Sequence, residues 1–574
     1  MIRRHALLLI YASACVLIAG PASATAPSGQ EPPGTRLPHL SVRDARVTDE
    51  HGRTVLLRSV NVNQLGDYFQ GNPKVPSTLP FSRTDLERIA AIGFNSVRLL
   101  VHWSRLEPKP GVHDESYLSQ IRQAVTWAGE LGLYVVLDMH QDGWGKYVNT
   151  SPDDICPPPL SHATGWDGAP EWATYTDGLP HCKLQEREVS AAVEQAWQSF
   201  WLDRDGIQQH LIDTWAWLAG AFKSDPTVAG YDLLNEPNPG LTIPVNETVY
   251  LRQFHTRTLE AIRAAEKGGL AKIAFFEPLI TWNIYGVAIT IPWTSDPNIV
   301  YAPHIYLGSI SMDKAILGQE IIPLRQGFYQ AKREADVYGT TFWGGEWGSF
   351  GNTEADAQHL ARYAALEDEF QVGGAFWQWK QACGDPHGVS WPDGAVPERS
   401  GNLAMVRCGD EAQPAGVEEG LIAANAKVLS RPYPRAFPGQ VTFTSDPASL
   451  TVDIKGQGGA DQGPLEVWIP GPGLPTVSAA GLAGIRVDKV MGGWILRARV
   501  TQSDWTLRAT GTPTDFAVHA SSGTSTISPP SVAGFGVHRN LPATGAAAPV
   551  AALVVLVIAS GLAWSALPSR MSDK

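Results

Sequence analysis

Cysteine is scarce in this chain, with five among 574 residues. Cys15 lies in an apolar stretch near the N-terminus, which leaves Cys156, Cys182, Cys383 and Cys408. Structural zinc sites gather Cys and His at short spacings, and no Cys-x-x-Cys or His-x-x-x-His accompanies these four. The pattern argues against zinc, and neither a metal ion nor a cofactor is expected.

Positive charge is also in short supply, since 44 Lys and Arg face 57 Asp and Glu, for a net charge of −13. Nucleic acid rewards faces rich in Lys and Arg, so it is not an expected partner. A charged fraction of 18% beside an apolar fraction of 44% is typical of a packed globular protein, not of a disordered one. At this length, two domains with flanking segments are expected.

The N-terminus has the pattern of an export signal. Arg3 and Arg4 precede an apolar run over residues 6–19, and small residues follow at 21–24. This order predicts a secretory signal peptide over residues 1–26.

The C-terminus, residues 541–574, has three parts in order. Leu-Pro-Ala-Thr-Gly at 541–545 precedes an apolar segment at 546–567 and then Arg570 and Lys574. This resembles a sortase cell-wall sorting signal, which implies cleavage after Thr544 and attachment to peptidoglycan. The alternative is a membrane anchor, because the apolar segment is long enough to span a bilayer. Both place the protein outside the cell.

Export permits disulfides. The four remaining cysteines allow three connectivities, and pairing of sequence neighbours would join Cys156 to Cys182 and Cys383 to Cys408.

Short β-rich runs alternate with amphipathic stretches between residues 41 and 430. The predicted strands cover residues 55–63, 96–103, 134–140, 228–236, 273–277, 299–306, 341–347 and 374–379. Residues 84–92, 117–131 and 208–222 are among the predicted helices. Eight β-then-α units in one domain predict an α/β fold of the (β/α)₈ TIM barrel type, whose active site lies at the carboxyl ends of the strands.

The rest of the chain differs in pattern. The third strand-to-helix loop carries a long insertion over residues 141–188, which contains Cys156 and Cys182. Alternating runs separated by Gly and Pro predict a small β-sandwich over residues 431–515. Residues 516–540, rich in Ser, Thr, Pro and Gly, are typical of a stalk.

Two glutamates end predicted strands. Glu236 lies in Leu-Asn-Glu-Pro at the end of the fourth, and Glu346 lies in Gly-Gly-Glu-Trp-Gly at the end of the seventh. Hydrolysis of a glycosidic bond uses two carboxyl groups, one to protonate the leaving oxygen and one to attack the anomeric carbon or to activate water.

With this pair so placed, the barrel resembles glycoside hydrolase family 5. The resemblance implies Glu236 as acid/base and Glu346 as nucleophile. It implies that Asn235 binds a sugar hydroxyl, that Arg98 orients the nucleophile, and that Trp377 forms the floor of the sugar site. His140, His304 and Tyr306 would hydrogen-bond the sugar and the glutamates.

Other polar residues are weaker candidates. Glu277 ends the fifth strand and is interpreted as supporting the site, whereas Glu107 is interpreted as structural. His140 and Asp142 are possible metal ligands, but the sequence offers no third one, so a sugar-binding role is preferred.

The run Asp-Met-His-Gln-Asp at 138–142 resembles the endoglycoceramidase branch of the family, which releases intact glycans from ceramide. That resemblance implies a glycolipid or oligosaccharide as substrate. The first loop, at residues 64–69, offers an acid and aromatics where the branch has a lysine for glycan recognition.

Residues 280–293 and 307–324 are apolar for loops over an active site, and either form a lipid groove or pack as ordinary helices. Three functions stay open: cleavage of glycosphingolipids, a β-glucanase or β-mannanase activity, and sugar binding by an inactive barrel. The intact pair of glutamates disfavours the last.

Overall fold

The computed structural model describes residues 36–516, except 70–75, 152, 164–166, 185–186, 307–322, 349–353, 383, 386–403 and 409–417, and also Thr526–Ile527. The proposed export signal, stalk and sorting signal thus lie outside the described residues, apart from Phe516 and Thr526–Ile527. Among the helices that the structure describes, none combines the length and apolar character that a bilayer span requires.

Eight parallel strands form the central barrel. These barrel strands are numbered 1 to 8 along the chain: Arg58–Val62, Ser96–His102, Tyr134–His140, Val228–Asp232, Ile273–Phe276, Ile299–Tyr301, Gly344–Trp347 and Gly374–Phe376. Strands 1 to 5 each pair with the next, strand 7 pairs with strand 8, and strand 8 pairs with strand 1. A parallel bridge between Tyr301 and Phe342 closes the ring between strands 6 and 7. The predicted (β/α)₈ fold is confirmed.

Several strands end earlier than predicted. Barrel strand 4 ends at Asp232 and strand 6 at Tyr301. Pro303 lacks the N–H that would continue the ladder after strand 6. Asn235, Glu236, His304 and Tyr306 therefore stand on the turns just beyond the strands.

The α-helices of the described part lie mainly on the outside of the barrel. They are Arg83–Ile92, Trp103–Leu106, Glu115–Glu130, Ala191–Trp201, Ile207–Phe222, Leu251–Ala265, Trp282–Tyr285, Leu324–Val337, Glu354–Phe370 and Ala423–Leu429.

The helix Glu115–Glu130 illustrates why these segments fold as they do. The Asp114 carboxylate accepts hydrogen bonds from the N–H groups of Ser116 and Tyr117 at 2.8 and 3.1 Å, which caps the helix start. Its buried residues, such as Leu118, Ile121 and Val125, recur at helical spacing and pack against the outward side chains of the barrel strands.

The second domain is a β-sandwich that also includes residues 40–55, which precede the barrel in the sequence. One of its sheets joins Leu40–Arg43, Arg46–Asp49 and Thr54–Val55 to Tyr433–Phe437, Leu465–Pro470, Gly493–Val500 and Leu482–Val490. The facing sheet contains Gln440–Asp446, Thr451–Gln457, Asp504–Thr510 and Thr476–Ala480. Two short pairs complete the strands: Val406–Cys408 with Glu418–Leu421, and Phe81–Ser82 with Thr526–Ile527.

This sheet corrects the boundary drawn from the sequence, which gave residues 41–430 to the barrel. Val55 pairs antiparallel with Ala436 instead of starting barrel strand 1. Leu40, Val42 and Val47 share a buried cluster with inward residues of the barrel strands, such as Phe275 and Val300. The N-terminal hairpin therefore closes the bottom of the barrel, opposite the carboxyl ends of its strands.

Candidate active site

Side-chain alternation brings polar groups into the barrel. In strand 2, Val97, Leu99 and Val101 face outward into the core beneath the helices. Arg98 and His102, at the opposite parity, therefore face the interior. The same alternation in strand 3 points Asp138 and His140 inward, and Asp232 on strand 4 pairs in register with Asp138.

Arg98 is the centre of this interior and is fully buried. Its guanidinium lies 2.9 Å from both Asp232 and Asp138 and 3.0 Å from both Glu277 and Glu346. It also donates to the side-chain oxygens of Asn61 at 3.1 Å and Asn235 at 2.9 Å. Burial alone lowers the pKa of Arg98, but Asp138, Asp232, Glu346 and Glu277 outweigh it and raise that pKa well above its usual value. Arg98 is thus a buried cation that contacts residues on, or just after, five other barrel strands.

The two glutamates stand face to face. A carboxylate oxygen of Glu236, one of Glu346 and a ring nitrogen of His304 all lie within 4.8 Å of one another. Retaining glycosidases hold their carboxyl groups about 5–5.5 Å apart, whereas inverting ones leave about 6.5–9.5 Å for a water. The short separation favours direct attack by one carboxylate.

Glu236 is held by an unusual backbone and by four neighbours. Its φ of +38° is a left-handed conformation that costs energy for a residue other than glycine. Its N–H donates to Glu277 at 2.8 Å, and its carbonyl accepts from the Gln141 amide at 3.0 Å. Its Oε1 accepts from Asn283 at 2.6 Å and lies 2.8 Å from Nδ1 of His304. This backbone turns the carboxyl group into the cleft.

Glu346 receives two donors at its two oxygens. Arg98 donates to Oε1 at 3.0 Å, and the Tyr306 hydroxyl donates to Oε2 at 2.9 Å. Burial raises the pKa of Glu346 to about 7, although His304 and Arg98 both lower it. Arg98 thus acts in the expected direction, and burial outweighs it.

His304 links the pair to Glu277. Its Nε2 lies 3.1 Å from Glu277 and its Nδ1 lies 3.5 Å from Glu346. Burial lowers the pKa of His304, but Glu277 and Glu346 more than offset this and raise it well above its usual value. His304 is therefore positioned as a cation between three carboxyl groups.

His140, Asp142 and Trp377 line the adjoining wall. The rings of His140 and Trp377 stack with centroids 5.5 Å apart. Asp138 holds Nδ1 of His140 at 2.7 Å, and Nε2 lies 3.5 Å from Asp142. Burial lowers the pKa of His140, but Asp138 and Asp142 outweigh it and raise that pKa well above its usual value.

Asp167 is a third candidate ligand that the sequence did not reveal, since it lies in the long insertion. Ligand atoms of His140, Asp142 and Asp167 lie within 4.8 Å of one another. Arg187 donates to Asp142 at 2.8 Å, and His102 lies 2.7 Å from Asp167. A side-chain nitrogen already lies against each carboxylate, which favours hydrogen bonding to a substrate over metal binding.

The first loop brings Asp67 to the same region. Asp67 accepts from Lys146 at 2.8 Å and from the Ser104 hydroxyl at 3.0 Å, and both charged side chains are partly exposed. The ammonium group near the first loop thus comes from the third loop. Sequence spacing gave no sign of this, because 79 residues separate Asp67 from Lys146.

Glu107 and Glu277, the two weaker candidates among the glutamates, differ in where they lie. Glu107 lies outside the site, where it accepts from Trp103 at 2.9 Å and Thr214 at 2.8 Å, as its structural interpretation requires. Glu277 contacts Arg98, His304 and the Glu236 backbone and so supports the site. Besides Asp167 and Lys146, the sequence analysis also missed Asn61, Asp232 and Asn283. An acid in a fully buried strand was the available signal for Asp232.

The long insertion carries one of the two predicted disulfides. Cys156 and Cys182 are bonded, with Cα atoms 5.6 Å apart, which confirms that pairing. Cys383 and the Cys408 side chain lie outside the described residues, so the second pairing stays a prediction. Residues 280–293 of the predicted apolar loops are described, whereas 307–322 are not.

The chain is similar to a known enzyme family and to solved structures. A family model described as cellulase (glycosyl hydrolase family 5) matches residues 49–383. The chain resembles the crystal structure of an endogalactoceramidase, with 41% identity and a TM-score of 0.74 over 83% of this chain and 100% of that one. It shares a fold with endo-glycoceramidase II from Rhodococcus sp. in an iminocyclitol complex, at 24% identity and a TM-score of 0.61 over 82% of this chain and 100% of that one.

Curated relatives give a similar result over a shorter span. Endoglycoceramidase I of Rhodococcus hoagii (strain 103S) is 28% identical over 287 residues, which are 48% of this chain and 54% of that protein. The endoglycoceramidase of Hydra vulgaris is 28% identical over 262 residues, 42% of this chain and 49% of that protein. The chain spans about half the length of these curated relatives.

Proposed function

The chain belongs to glycosyl hydrolase family 5, and from this premise we propose that it is a retaining β-glycosidase that cleaves the bond between glycan and ceramide in glycosphingolipids. The observation that carries the retaining mechanism is the approach of Glu236 and Glu346 to within 4.8 Å. Support for the substrate comes from the endogalactoceramidase and endoglycoceramidases that the chain resembles.

In the first step Glu346 attacks the anomeric carbon while Glu236 gives its proton to the glycosidic oxygen. The bond between the sugar and that oxygen breaks, and ceramide leaves as an alcohol. Tyr306 and Arg98, each within hydrogen-bond distance of Glu346, orient the attacking carboxylate. The product is a glycosyl ester on Glu346.

In the second step Glu236 takes a proton from water, which attacks the anomeric carbon and releases Glu346. Esterification removes the negative charge from Glu346, so the ionised Glu236 no longer faces a second charged carboxylate. The glycan leaves intact with its β configuration retained. Asn235, His140 and Asp142, with Trp377 as a floor, are the proposed sugar contacts.

A substrate panel tests this proposal. Gangliosides, 6-galactosyl glycolipids, glucosylceramide, cellulose derivatives and mannan would be compared by release of reducing sugar and of ceramide. Glycan release from a glycosphingolipid, with little turnover of polysaccharide, is the expected result. Turnover of cellulose or mannan alone would assign a β-glucanase or β-mannanase, and no turnover of any fluorogenic β-glycoside would leave only sugar binding.

We also propose that the protein is exported and attached to peptidoglycan by sortase. The support is the sequence alone: the basic and apolar residues 1–26, and Leu-Pro-Ala-Thr-Gly before an apolar segment and a basic tail. Thr544→Ala should release the enzyme from the wall with kcat/KM unchanged. Unchanged wall attachment of this variant would refute sortase processing, and retention in the membrane fraction would favour the alternative of a membrane anchor.

A further inference from the structure

Aliphatic side chains are exposed along two segments at the active-site end of the barrel. Residues 241–249, after barrel strand 4, carry Leu241, Ile243, Val245 and Val249, and residues 287–289, after barrel strand 5, carry Val287 and Ile289. These six side chains, named here the aliphatic rim, are between 38% and 49% exposed. Soluble proteins seldom expose such groups together unless a partner covers them.

Hydrogen bonds of side chains and backbone join the two segments into one surface. The N–H of Ile289 donates to the Glu247 carboxylate at 2.8 Å, and the N–H of Ile280 donates to the Pro237 carbonyl at 2.9 Å. Arg252, in the helix Leu251–Ala265 that follows the first segment, donates to the Pro292 carbonyl at 3.0 Å. The rim is therefore a single patch and not two independent loops.

The rim adjoins the residue that faces the leaving group. Asn283, on the short helix Trp282–Tyr285, donates to Glu236 at 2.6 Å, and Val287 comes just after Gly286, which caps that helix. A general acid stands beside the oxygen that it protonates, and this oxygen belongs to the departing alcohol. The aglycone, which is ceramide on the proposed function, therefore leaves on the side of the cleft next to the rim.

The lack of positive charge in the sequence around the rim indicates which kind of membrane surface it can bind. No Lys or Arg occurs in the sequence between Lys223 and Arg252, or between Lys272 and Lys314. Anionic membranes attract basic clusters, and this patch offers none. The net charge of −13 adds repulsion from such membranes. What the rim offers is apolar area, which partitions into the interface of a neutral bilayer.

We propose that the aliphatic rim inserts into the surface of a zwitterionic bilayer and so holds the cleft over membrane-embedded glycolipid. This inference rests on the proposed function, because ceramide keeps its two chains in the bilayer while the glycan enters the cleft. The aliphatic side chains of the rim enter the bilayer interface on the leaving-group side of the cleft. The glycan-binding wall, formed by His140 and Asp142, stays in water.

Vesicle binding by the chain of residues 27–544 tests the proposal. This chain contains every described element and omits the apolar residues 546–567, which would bind vesicles on their own. The rim variant is I243S/V287S/I289S. The matched control is L474S/I485S, since these two residues are 70% and 43% exposed on the β-sandwich.

Sedimentation with phosphatidylcholine vesicles should give binding by the wild type and the control, and at least roughly tenfold weaker binding by the rim variant. Turnover of glycolipid in these vesicles should fall in parallel, with kcat/KM on a soluble fluorogenic β-glycoside unchanged. Adding phosphatidylserine should not strengthen binding. Binding is measured on vesicles that contain no glycolipid, so the binding result does not depend on the proposed substrate.

Wild-type vesicle binding by the rim variant would overturn the proposal, as would a requirement for phosphatidylserine. Self-association that the rim variant abolishes, with vesicle binding unaffected, would assign the rim to a second copy of the chain. If no glycolipid is cleaved but the rim variant alone loses vesicle binding, the proposed function fails and the membrane contact stands.

Discussion

At the scale of single residues, the site holds more carboxyl groups than fixed cations. Asp138, Asp232, Glu277 and Glu346 all contact Arg98 and are buried. Burial raises the pKa of Asp232 to about 6 and of Glu277 to about 7, against the opposing effects of Arg98 and His304. Burial thus brings the pKa values of Asp232, Glu277 and Glu346 up toward neutrality, while Arg98 and His304 oppose that rise.

The pH profile should report Glu346. Since burial raises its pKa to about 7 and the nucleophile must be ionised, kcat/KM should rise as the pH increases through this range. His304→Asn removes a positive charge that lowers this pKa, so the acid limb should move to higher pH. Profiles of the wild type and variant on a fluorogenic β-glycoside measure the shift, and an unchanged or lowered midpoint would contradict the assignment.

Leaving-group chemistry should distinguish the two glutamates. Glu236→Ala should lower kcat/KM about 10²–10⁴-fold on an alkyl glycoside, which needs a proton on its leaving oxygen. The loss should be much smaller on a 2,4-dinitrophenyl glycoside, because dinitrophenolate departs without one. Glu346→Ala should abolish turnover of both substrates.

Glu260→Ala, an exposed change on the helix Leu251–Ala265, serves as the control for these variants. Equal losses on both substrates for Glu236→Ala would refute its role as acid.

At the scale of elements, the long insertion after barrel strand 3 supplies much of one wall. Asp142, Lys146, Asp167 and Arg187 all come from it or its ends, and the Cys156–Cys182 bond closes a segment with a separation of 26 residues. Loops usually carry function on a rigid scaffold, and here a crosslink supplements the scaffold.

Replacing both cysteines by serine should destabilise this element. The chain-entropy model gives about 3–4 kcal/mol for a loop of this size. We expect a lower denaturation midpoint and a higher KM, with the chemical step on a small fluorogenic glycoside less affected. Wild-type enzyme treated with dithiothreitol should lose at least as much stability as the variant, because the reductant also opens the predicted bond between Cys383 and Cys408. An unchanged midpoint in the variant would show that the insertion needs no crosslink.

At the scale of the whole molecule, buried charges join the barrel to the β-sandwich. Arg431 lies 2.7 Å from Glu367 and 3.2 Å from Asp368, and Arg58 also pairs with Asp368. The Arg58 guanidinium lies 3.8 Å above the Tyr433 ring, whose hydroxyl donates to the Gly93 carbonyl at 3.0 Å. These contacts join the two domains across a buried interface, so we expect the domains to unfold together.

Arg431→Ala should therefore destabilise the entire protein. It leaves Glu367 and Asp368 buried with one cation fewer, which costs about 3–5 kcal/mol for a broken buried pair. Arg508→Ala breaks an exposed pair with Asp453 and should cost about 0–1 kcal/mol. Guanidinium denaturation should show a single transition in both variants, and similar midpoints would argue against the buried pair as a joint between the domains.

The sequence by itself determined the barrel and its two glutamates. Runs such as Tyr134–His140 are apolar over a length typical of buried strands, and helical spacing follows them, so local periodicity was enough to order eight β/α units. Since parallel strands in a barrel end at one face, Glu236 and Glu346 had to meet there once each was placed at a strand end. The Cys156–Cys182 bond followed from scarcity and proximity.

Only the tertiary structure decided the features that depend on contacts between distant parts of the sequence. Val55 reads locally like the start of barrel strand 1, yet it pairs with Ala436, because antiparallel pairing is set by a partner 381 residues away. Asn283, on a short helix after barrel strand 5, and Lys146, in the insertion after barrel strand 3, reach the site along paths that no periodicity encodes. The pKa of Glu346 depends on its burial, which raises it, and on Arg98 and His304, which lower it. Both effects are properties of the packed molecule and not of any one segment of the sequence.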